Sequence, residues 1–362
     1  MNILTYIIAG FSVLGAIDCI LNNKFQLGKE WERGFQMFGS IAISMLGMLV
    51  LAPAISHVLA PVLELIPMGV PFEPSIIAGA VLSSDMGGAN LAQSIAKSEE
   101  MGYFNGLVVA SMMGCTTSFS LPFAMGVVAK KQQKLLLTGM MCGIVTIPLG
   151  CIFAGIISGI AFPSLIINLV PLIVLAVVIT IGLLKVPSLC VKIFKGISIV
   201  IKIVIVFGMM VGIVEFLTGY QVIPYVAPIE DGAIVVFNAV VVMSGTFPLV
   251  HIIGRVLNRP LKAMGRLIGI KDTAAIGFVA SLATSVTTFS LMKNMDDRGV
   301  VLNSAFAVSG AFVFAGQLGF TMSVNADFVP GFIFGKLIAG IFAVVLAAWI
   351  TRKQVKESSI MA

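Results

Sequence analysis

The segment "SSDMGGANLAQS" (residues 83–94) places a carboxylate and two adjacent glycines inside an otherwise apolar stretch. Glycine allows backbone geometries that end a helix, and it lets another group approach the backbone closely. A carboxylate in hydrocarbon is unfavourable, so it normally faces a cavity or a partner. The segment therefore predicts two half-helices that meet at "DMGGAN", with Asp85 at the break. Asp is also a favourable N-cap, so Asp85 has the alternative role of capping the second half-helix.

The composition decides the class of protein around this segment. Of the 362 residues, 59% are apolar and 10% are charged, with a mean hydropathy of +1.09. In a typical soluble domain roughly a quarter of all residues are charged. Apolar runs of ~20 residues, in contrast, can cross a membrane as helices. We therefore expect an all-α polytopic membrane protein. Its apolar segments number eleven, at residues 3–22, 34–63, 75–96, 103–128, 135–160, 164–184, 196–218, 232–254, 273–292, 300–322 and 331–350.

The chain also repeats itself when it is shifted by 198 residues. Identities recur in one register from residue 10 to residue 111, and they pair Gly10 with Gly208, Glu32 with Glu230, Gly34 with Gly232, Gly79 with Gly277, Ser83 with Ser281, Asn105 with Asn303 and Ser111 with Ser309. The register predicts two related halves of five segments. The expected units are a first repeat at 1–162, a linking transmembrane helix at 163–190, a second repeat at 191–351 and a cytoplasmic tail at 352–362.

Loop charges indicate how the two halves are oriented. Lys and Arg cluster at residues 24–33, 130–134, 185–195, 255–271 and 352–356, whereas the loops around 64–74, 161–164, 219–231 and 323–330 have none. Basic loops stay on the cytoplasmic side. If every segment crossed the membrane, each loop would lie on the opposite side from the one before, and the basic loops break this rule twice. It is restored if segment 75–96 is re-entrant from outside and segment 273–292 is re-entrant from inside. The halves then form an inverted repeat, a plan of secondary transporters that bind substrate where broken helices meet. The alternative is two kinked but fully spanning helices.

The matching segment of the second half, "ASLATSVTTFSLMKN" (residues 280–294), offers hydroxyls instead of a charge. In the repeat register, Ala283 takes the place of Asp85. Hydroxyls in membrane helices often bond only to their own backbone, so each could be purely structural. Lys336, in "FGKLIAG", is the basic residue best placed to be a buried partner of an acidic group. The candidate substrate-binding residues are Asp85, Gly87, Asn90, Thr117, Ser285, Thr287, Asn303 and Gln317.

Several classes of function are disfavoured. The five cysteines form no CxxC pair, and neither of the two histidines has a partner at metal-ligand spacing. We therefore expect no metal and no cofactor. The charge of +6 is spread over short loops, which argues against nucleic-acid binding. An enzyme acting on lipid head groups would need paired acid and base groups, and the scattered single charges argue against it.

At these same residues the chain resembles the ethanolamine permeases of bacterial ethanolamine-utilisation operons. The resemblance covers nearly the whole chain and is carried by "ERGFQMFG", "SDMGGANLA", "SMMGCTTSFSLP", "GIVTIPLGCI", "MKNMDDRGVVLNSAFAVSGAF", "QLGF" and "GKLIAG". It implies a multi-pass transporter of ethanolamine in the bacterial cytoplasmic (inner) membrane. The chain departs from the family's pattern at "TSVT" (residues 284–287) and at Gly316-Gln317, which leaves a related small amine open as substrate.

The substrate implied by the resemblance suits the residues. Ethanolamine carries an amine that is protonated at neutral pH, as a lysine side chain is. Asp85 would bind the ammonium group, and a Ser or Thr hydroxyl, Asn303 or Gln317 would bind the hydroxyl. We expect facilitated diffusion (uniport) by alternating access. A proton- or ion-coupled symporter of another small metabolite and a channel stay open as alternatives, and so does a homo-oligomer in the lipid bilayer.

Overall fold

The computed structural model describes residues 3–64 and 72–360, and the regular structure within these ranges is helical. The α-helices are α1 Ile3–Ile20, α2 Leu27–Gln36, α3 Phe38–Glu64, α4 Ser75–Val81, α5 Gly88–Ile95, α6 Glu99–Tyr103, α7 Leu121–Val127, α8 Gln133–Ile157, α9 Phe162–Lys185, α10 Pro187–Thr218, α11 Ile229–Leu267, α12 Asp272–Ala283, α13 Ser285–Leu291, α14 Asp297–Gly310, α15 Gly316–Val324 and α16 Val329–Ile360. Helices α6 and α7 are the ends of one continuous helix, Glu99–Val127, whose middle is wound as a π-helix over Phe104–Gly114 and Thr116–Ser120.

Within the described ranges, eight helices are long and apolar enough to cross a membrane. They span Ile3–Ile20, Leu27–Val58, Glu99–Val127, Lys130–Ile157, Phe162–Lys185, Pro187–Thr218, Ile229–Leu257 and Ala326–Thr351. Large apolar side chains cover the outer faces of α9 and α10, including Val174, Val178, Val200 and Ile203, which are all more than half exposed. Such surfaces suit lipid rather than water. The chain is an all-helical, multi-pass membrane protein.

The two segments that the sequence predicts to be broken are both broken. Segment 75–96 divides into α4 and α5, and segment 273–292 divides into α12 and α13. The second break falls at Thr284, which the repeat register aligns with Met86 in the first break. Two sequence features therefore located both breaks: the Asp-Gly-Gly cluster in the first half and the register in the second.

A third break was not expected. The prediction of one helix over 300–322 is wrong, because α14 ends at Gly310 and α15 begins at Gly316. Phe312, between them, has a φ of 60°, which a bulky residue adopts only when its surroundings enforce it. In the repeat register residues 311–315 align with 113–117, where the Glu99–Val127 helix departs from α-helical winding. The equivalent positions are thus irregular in both halves, by different means.

Helices α8, α14 and α16 pack together in the interior of the protein. Small residues allow the close approach: a side chain at Gly150 of α8 would meet the Gly335 carbonyl oxygen of α16 at 2.5 Å. Close helix contacts through small residues are typical of membrane proteins. This packing brings the first turns of α16, including Lys336, against the π-helical segment and α15.

The helix bounds coincide only in part with the boundaries of the predicted units. The linking unit 163–190 contains most of α9 and the first residues of α10, and the predicted tail 352–362 continues α16 as far as Ile360. Residues 361–362, and residues 65–71 of the predicted outer loop 64–74, lie outside the described part of the chain. The division into two repeats stays a prediction.

Candidate functional site

The first break turns the chain sharply without leaving the protein interior. Leu82 and Ser83 are extended, a single 3₁₀ turn covers Ser84–Met86, and Gly87 has a φ of 92°. That φ is in the region that favours glycine. A side chain at Gly87 would also lie 1.8 Å from the Met48 side chain of α3. Gly87 is therefore required for the shape of the break and for its packing against α3.

The broken end of α4 leaves carbonyl groups without helical partners. The π-helical segment supplies hydrogen-bond donors for them. The Thr117 hydroxyl lies 2.9 Å from the Val81 carbonyl oxygen and 3.1 Å from that of Ala80. It also lies 3.1 and 3.0 Å from the Met113 and Gly114 carbonyl oxygens of its own helix, so one proton is shared among four acceptors. The Ser118 hydroxyl accepts from the Ser83 backbone N–H at 3.2 Å. In this geometry Thr117 completes the backbone of the first break.

The second and third breaks are joined by backbone hydrogen bonds. The backbone N–H groups of Phe312 and Phe314 donate to the carbonyl oxygens of Ser281 and Leu282, at 3.1 and 2.9 Å, at the end of α12. The Thr284 hydroxyl accepts from the Val286 backbone N–H at 3.2 Å and so caps α13. These hydrogen bonds to the end of α12 explain why residues 311–315 are not helical.

A cavity of about 160 Å³ lies beside the first break. Asp85 and Gln317, both predicted binding residues, line it together. Its other lining residues are Ile41, Ser44, Met45, Ser83, Met86, Cys115, Phe119 and Phe312. The Phe119 and Phe312 rings meet edge to face, with centroids 6.0 Å apart. The central cavity, as we name this space, therefore joins one carboxylate and one amide to mostly apolar walls.

Two carboxylates, Asp18 buried and Asp85 half-buried, differ in what holds them. Asp18 accepts three backbone N–H groups, from Phe25, Leu27 and Gly28, at 2.8–3.0 Å. Asp85, in contrast, has one hydrogen bond among the described residues, from the Ser83 hydroxyl at 2.5 Å. The Asp18 carboxylate is used to close the turn between α1 and α2. The Asp85 carboxylate keeps acceptor capacity toward the central cavity.

A chain of hydrogen bonds links Asp85 to a buried amine. The Gln317 side-chain N–H donates to the Ser83 hydroxyl at 3.3 Å, and the Gln317 amide oxygen accepts from Lys336 at 2.7 Å. Lys336 also donates to the Ser111 carbonyl oxygen at 2.7 Å. Among the described residues neither Asp85 nor Lys336 forms an ion pair within 4 Å. The sequence singled out Lys336 as a partner for an acid, but not Ser83 and Gln317 as the link.

Two larger cavities contain other predicted residues. Asn90 lines a cavity of about 860 Å³ with His57, Tyr225 and Ala227. Thr287 lines a cavity of about 340 Å³ whose wall includes Phe247. Ala227 lies two residues before α11 begins, and Phe247 lies eighteen residues after the first residue of that helix, which is ~27 Å along its axis. We name the first the outer vestibule and the second the inner vestibule, after their predicted sides.

The remaining predicted residues face no cavity described above. Gly87 and Thr117 shape the first break. Ser285 is fully buried at the start of α13, and its hydroxyl has no partner among the described residues. The Asn303 side chain donates to the carbonyl oxygens of Ala274 and Gly299, at 2.9 and 3.0 Å, and joins α12 to α14. Of the eight predicted residues, only Asp85 and Gln317 line the central cavity, and the other six do not.

Comparison with known proteins gives a consistent picture. The family described as "Ethanolamine utilisation protein, EutH" matches residues 1–350. A Listeria monocytogenes protein named "Probable ethanolamine permease EutH" is 39% identical over 99% of this chain and 96% of its own length. The Salmonella typhimurium protein of the same name is 34% identical, over 97% of this chain and 96% of its own length.

A Bacillus subtilis relative named "Uncharacterized protein YxeR" is 33% identical over 96% of this chain and 94% of its own length. No solved structure matches the chain. A family match over nearly the whole length, together with relatives above 30% identity, settles the assignment. The chain belongs to the EutH family of ethanolamine utilisation proteins.

Proposed function

We propose that this protein carries ethanolamine, as the protonated amine, across the bacterial cytoplasmic membrane. The observation that carries the proposal is the Asp85 carboxylate, which faces a central cavity at the break between two half-helices. A carboxylate that deep in a membrane protein is a functional group by default. The names of the Listeria and Salmonella relatives, both probable ethanolamine permeases, identify the class of substrate.

The central cavity offers one group for each end of this small molecule. The Asp85 carboxylate accepts hydrogen bonds from the ammonium group, and charge-assisted bonds of this kind are the strong ones. The Gln317 amide oxygen is already used by Lys336, so its side-chain N–H group faces the substrate hydroxyl as a donor. The apolar walls exclude water and strengthen both interactions.

Alternating access fits the order of the three spaces. The central cavity includes Ser44 and Met45 of α3, and the outer vestibule includes Leu49 and Ala52, the next turns of the same helix. The inner vestibule lies toward the other end of α11. Movement of one group of helices against the other would open the central cavity to each vestibule in turn. We propose that the two halves form the inverted repeat of eleven segments, with α4–α5 and α12–α13 re-entrant.

Cysteine accessibility tests the inverted arrangement. Lys97 follows α5, Lys293 follows α13, and both are exposed. In a background without native cysteines, we expect Lys97→Cys to react with an impermeant thiol reagent from outside and Lys293→Cys from inside. Reaction of both from the same side would contradict the inverted repeat, while leaving the transport function untouched.

Uptake by the purified protein in lipid vesicles tests the function itself. Wild-type vesicles should accumulate labelled ethanolamine by a saturable route, and Asp85→Asn should remove at least ~90% of it at low substrate concentration, because it loses a charge-assisted bond worth about 2 kcal/mol. Asp327→Asn, which changes an exposed carboxylate, is the matched control and should transport normally. Absence of saturable uptake by the wild type would reject the proposal.

Counterflow separates a carrier from a channel. A carrier loaded inside with unlabelled ethanolamine should take up label faster, because its loaded form returns to the outer side more often than its empty form. A channel shows neither saturation nor this acceleration. Competition by related small amines and by other metabolites then ranks ethanolamine against alternative substrates.

A further inference from the structure

Lys336 places a primary amine in the interior of the protein, and none of its side chain is exposed. The nitrogen has two hydrogen-bond acceptors, the Ser111 carbonyl oxygen and the Gln317 amide oxygen, each at 2.7 Å. The Phe332 ring lies 5.0 Å away. All three partners are uncharged, whereas a buried charge normally needs a counter-charge. The described residues offer this amine no adjacent carboxylate.

Asp85 is the counter-charge that the surroundings supply, and it acts through intervening groups. The titratable groups that act electrostatically on Lys336 are Asp85, Cys115 of the Glu99–Val127 helix and Cys151 of α8. Helix α15 contains no charged residue, and the charged residues of α14, Asp297 and Arg298, lie in its first turn. Thiols in apolar surroundings stay protonated and neutral. Gln317 and Ser83 connect the amine to the one carboxylate.

Both protonation states of Lys336 fit this environment. An ammonium group donates three hydrogen bonds, whereas a neutral amine donates two and keeps a lone pair. Two donors are used here. Loss of one proton therefore costs Lys336 neither of its protein hydrogen bonds. The empty site, with Asp85 ionised and Lys336 protonated, has no net charge.

A protonated amine that binds to Asp85 disturbs this balance. Two cations would then share one carboxylate in a small cavity with apolar walls, and a like charge disfavours the charged form of its neighbour. Building on the transport function proposed above, we propose that Lys336 releases its proton when the substrate ammonium ion binds. The carrier would then exchange one ammonium ion for one proton.

The cycle balances in atoms and charge. On the outer side the ammonium ion binds to Asp85, and the N–H bond of protonated Lys336 breaks, releasing its proton to outer water. On the inner side the ammonium ion leaves, and the Lys336 lone pair takes a proton from inner water. The net result is one ammonium ion moved inward and one proton moved outward. This equals facilitated diffusion of the uncharged amine, although the site recognises the cation.

With this exchange, the site has no net charge in either its loaded or its empty form when access changes from one side of the membrane to the other. Moving one net charge through a potential of 100 mV changes the equilibrium by about 50-fold. A carrier that exchanges a proton for the ammonium ion is insensitive to that potential, and its substrate distribution follows the pH difference instead. This separates the proposal from simple uniport of the cation.

Proteoliposomes of the purified wild type, with ethanolamine as the probe, test the exchange at pH 6. At this pH only about one molecule in 10⁴ is uncharged by analogy with a lysine side chain, and protein-free vesicles measure its passive entry. With equal pH on both sides, an inside-negative potential of about 100 mV should produce no accumulation of ethanolamine above the outer concentration. A dye in the lumen should report one proton leaving for each amine that enters by the saturable route.

The Lys336→Met variant removes the exchangeable proton but keeps an unbranched apolar side chain that is one atom shorter. Its empty site is negative and its loaded site neutral, so uptake should become voltage-driven and approach ~50-fold accumulation, without proton release. A purely structural role for Lys336 would lower the rate of transport without changing its response to voltage.

The outcomes separate the two proposals. Saturable wild-type uptake with voltage-driven accumulation would overturn the proton exchange and leave the transport function in place. Absence of saturable uptake would overturn both. If Lys336→Met does not fold, the wild-type measurement still tests the exchange, because voltage-driven accumulation rejects it and proton exit without such accumulation supports it.

Discussion

The first break and the second break meet the same physical problem in different ways. Each interrupts a helix inside the membrane protein and leaves carbonyl groups that need donors. At the end of α4 a side chain supplies them, because the Thr117 hydroxyl reaches Val81 and Ala80. At the end of α12 a second piece of backbone supplies them, through the N–H groups of Phe312 and Phe314.

The difference decides which break presents a charge to a cavity. Backbone segments cross and bond at the second break, where the Ser281 and Thr288 hydroxyls lie 2.8 Å apart, and its residues on the inner vestibule, Ala283, Thr284 and Thr287, are uncharged. The first break is closed by hydroxyls from one side only. Its other side, with Ser83 and Asp85, faces the central cavity. The second break thus has a structural role, and the first break carries the charge.

Gly87→Ala should have the largest effect, because it attacks the shape of the first break. It forces a side chain into a φ of 92° and against Met48. Backbone strain of about 1–2 kcal/mol adds to overpacking of about 1–3 kcal/mol. We expect a clearly lower unfolding temperature in detergent and loss of ethanolamine uptake.

Gly219→Ala is the matched control for this change. Gly219 has a φ of 69°, but a side chain there meets nothing within 4 Å. It should lose only the strain contribution and retain uptake. If the two variants behave alike, close packing of Gly87 against α3 is not required.

Thr117→Val should have an intermediate effect, because it removes the donor from the carbonyl groups of α4 while conserving side-chain volume. Leaving such groups unsatisfied costs about 1–3 kcal/mol. We expect lower thermal stability, with the affinity for ethanolamine changed less than by Asp85→Asn. A large loss of affinity with unchanged stability would instead return Thr117 to the set of substrate ligands that the sequence suggested.

Thr284→Ala should have the smallest effect of the three. It removes the hydroxyl that caps α13, which is worth about 1 kcal/mol, but the carbonyl groups of α12 keep their backbone donors. We expect a small decrease in unfolding temperature and near-normal uptake. A decrease larger than that of Thr117→Val would contradict the assignment of backbone support to the second break.

The sequence predicted those features that depend on rare residues. Asp85 beside two glycines indicated the first break, and the 198-residue register indicated the second. The third break was missed because "SGAFVFAGQLG" has the small and apolar residues of a membrane helix. What interrupts it is the bonding of Phe312 and Phe314 to α12, a long-range contact that local pattern does not encode. The same applies to Thr117, whose hydroxyl serves a neighbouring helix rather than a ligand.

The hydrogen-bonded connection between the site residues was also not predictable from the local sequence. Asp85, Gln317 and Lys336 were each noticeable in the sequence as polar groups in apolar segments. Their connection depends on Ser83, one small residue whose hydroxyl bonds to Asp85 on one side and Gln317 on the other. Serine is too common in membrane helices to be singled out without coordinates.

Equilibrium binding of ethanolamine to the purified protein separates recognition at the first break from movement of the carrier. Isothermal titration at pH 6 should show Asp85→Asn binding about 30-fold more weakly than wild type, which corresponds to loss of about 2 kcal/mol. Asp327→Asn should bind as the wild type does. Equal affinity of wild type and Asp85→Asn would contradict the account, because the carboxylate at the first break would then not bind the ammonium ion.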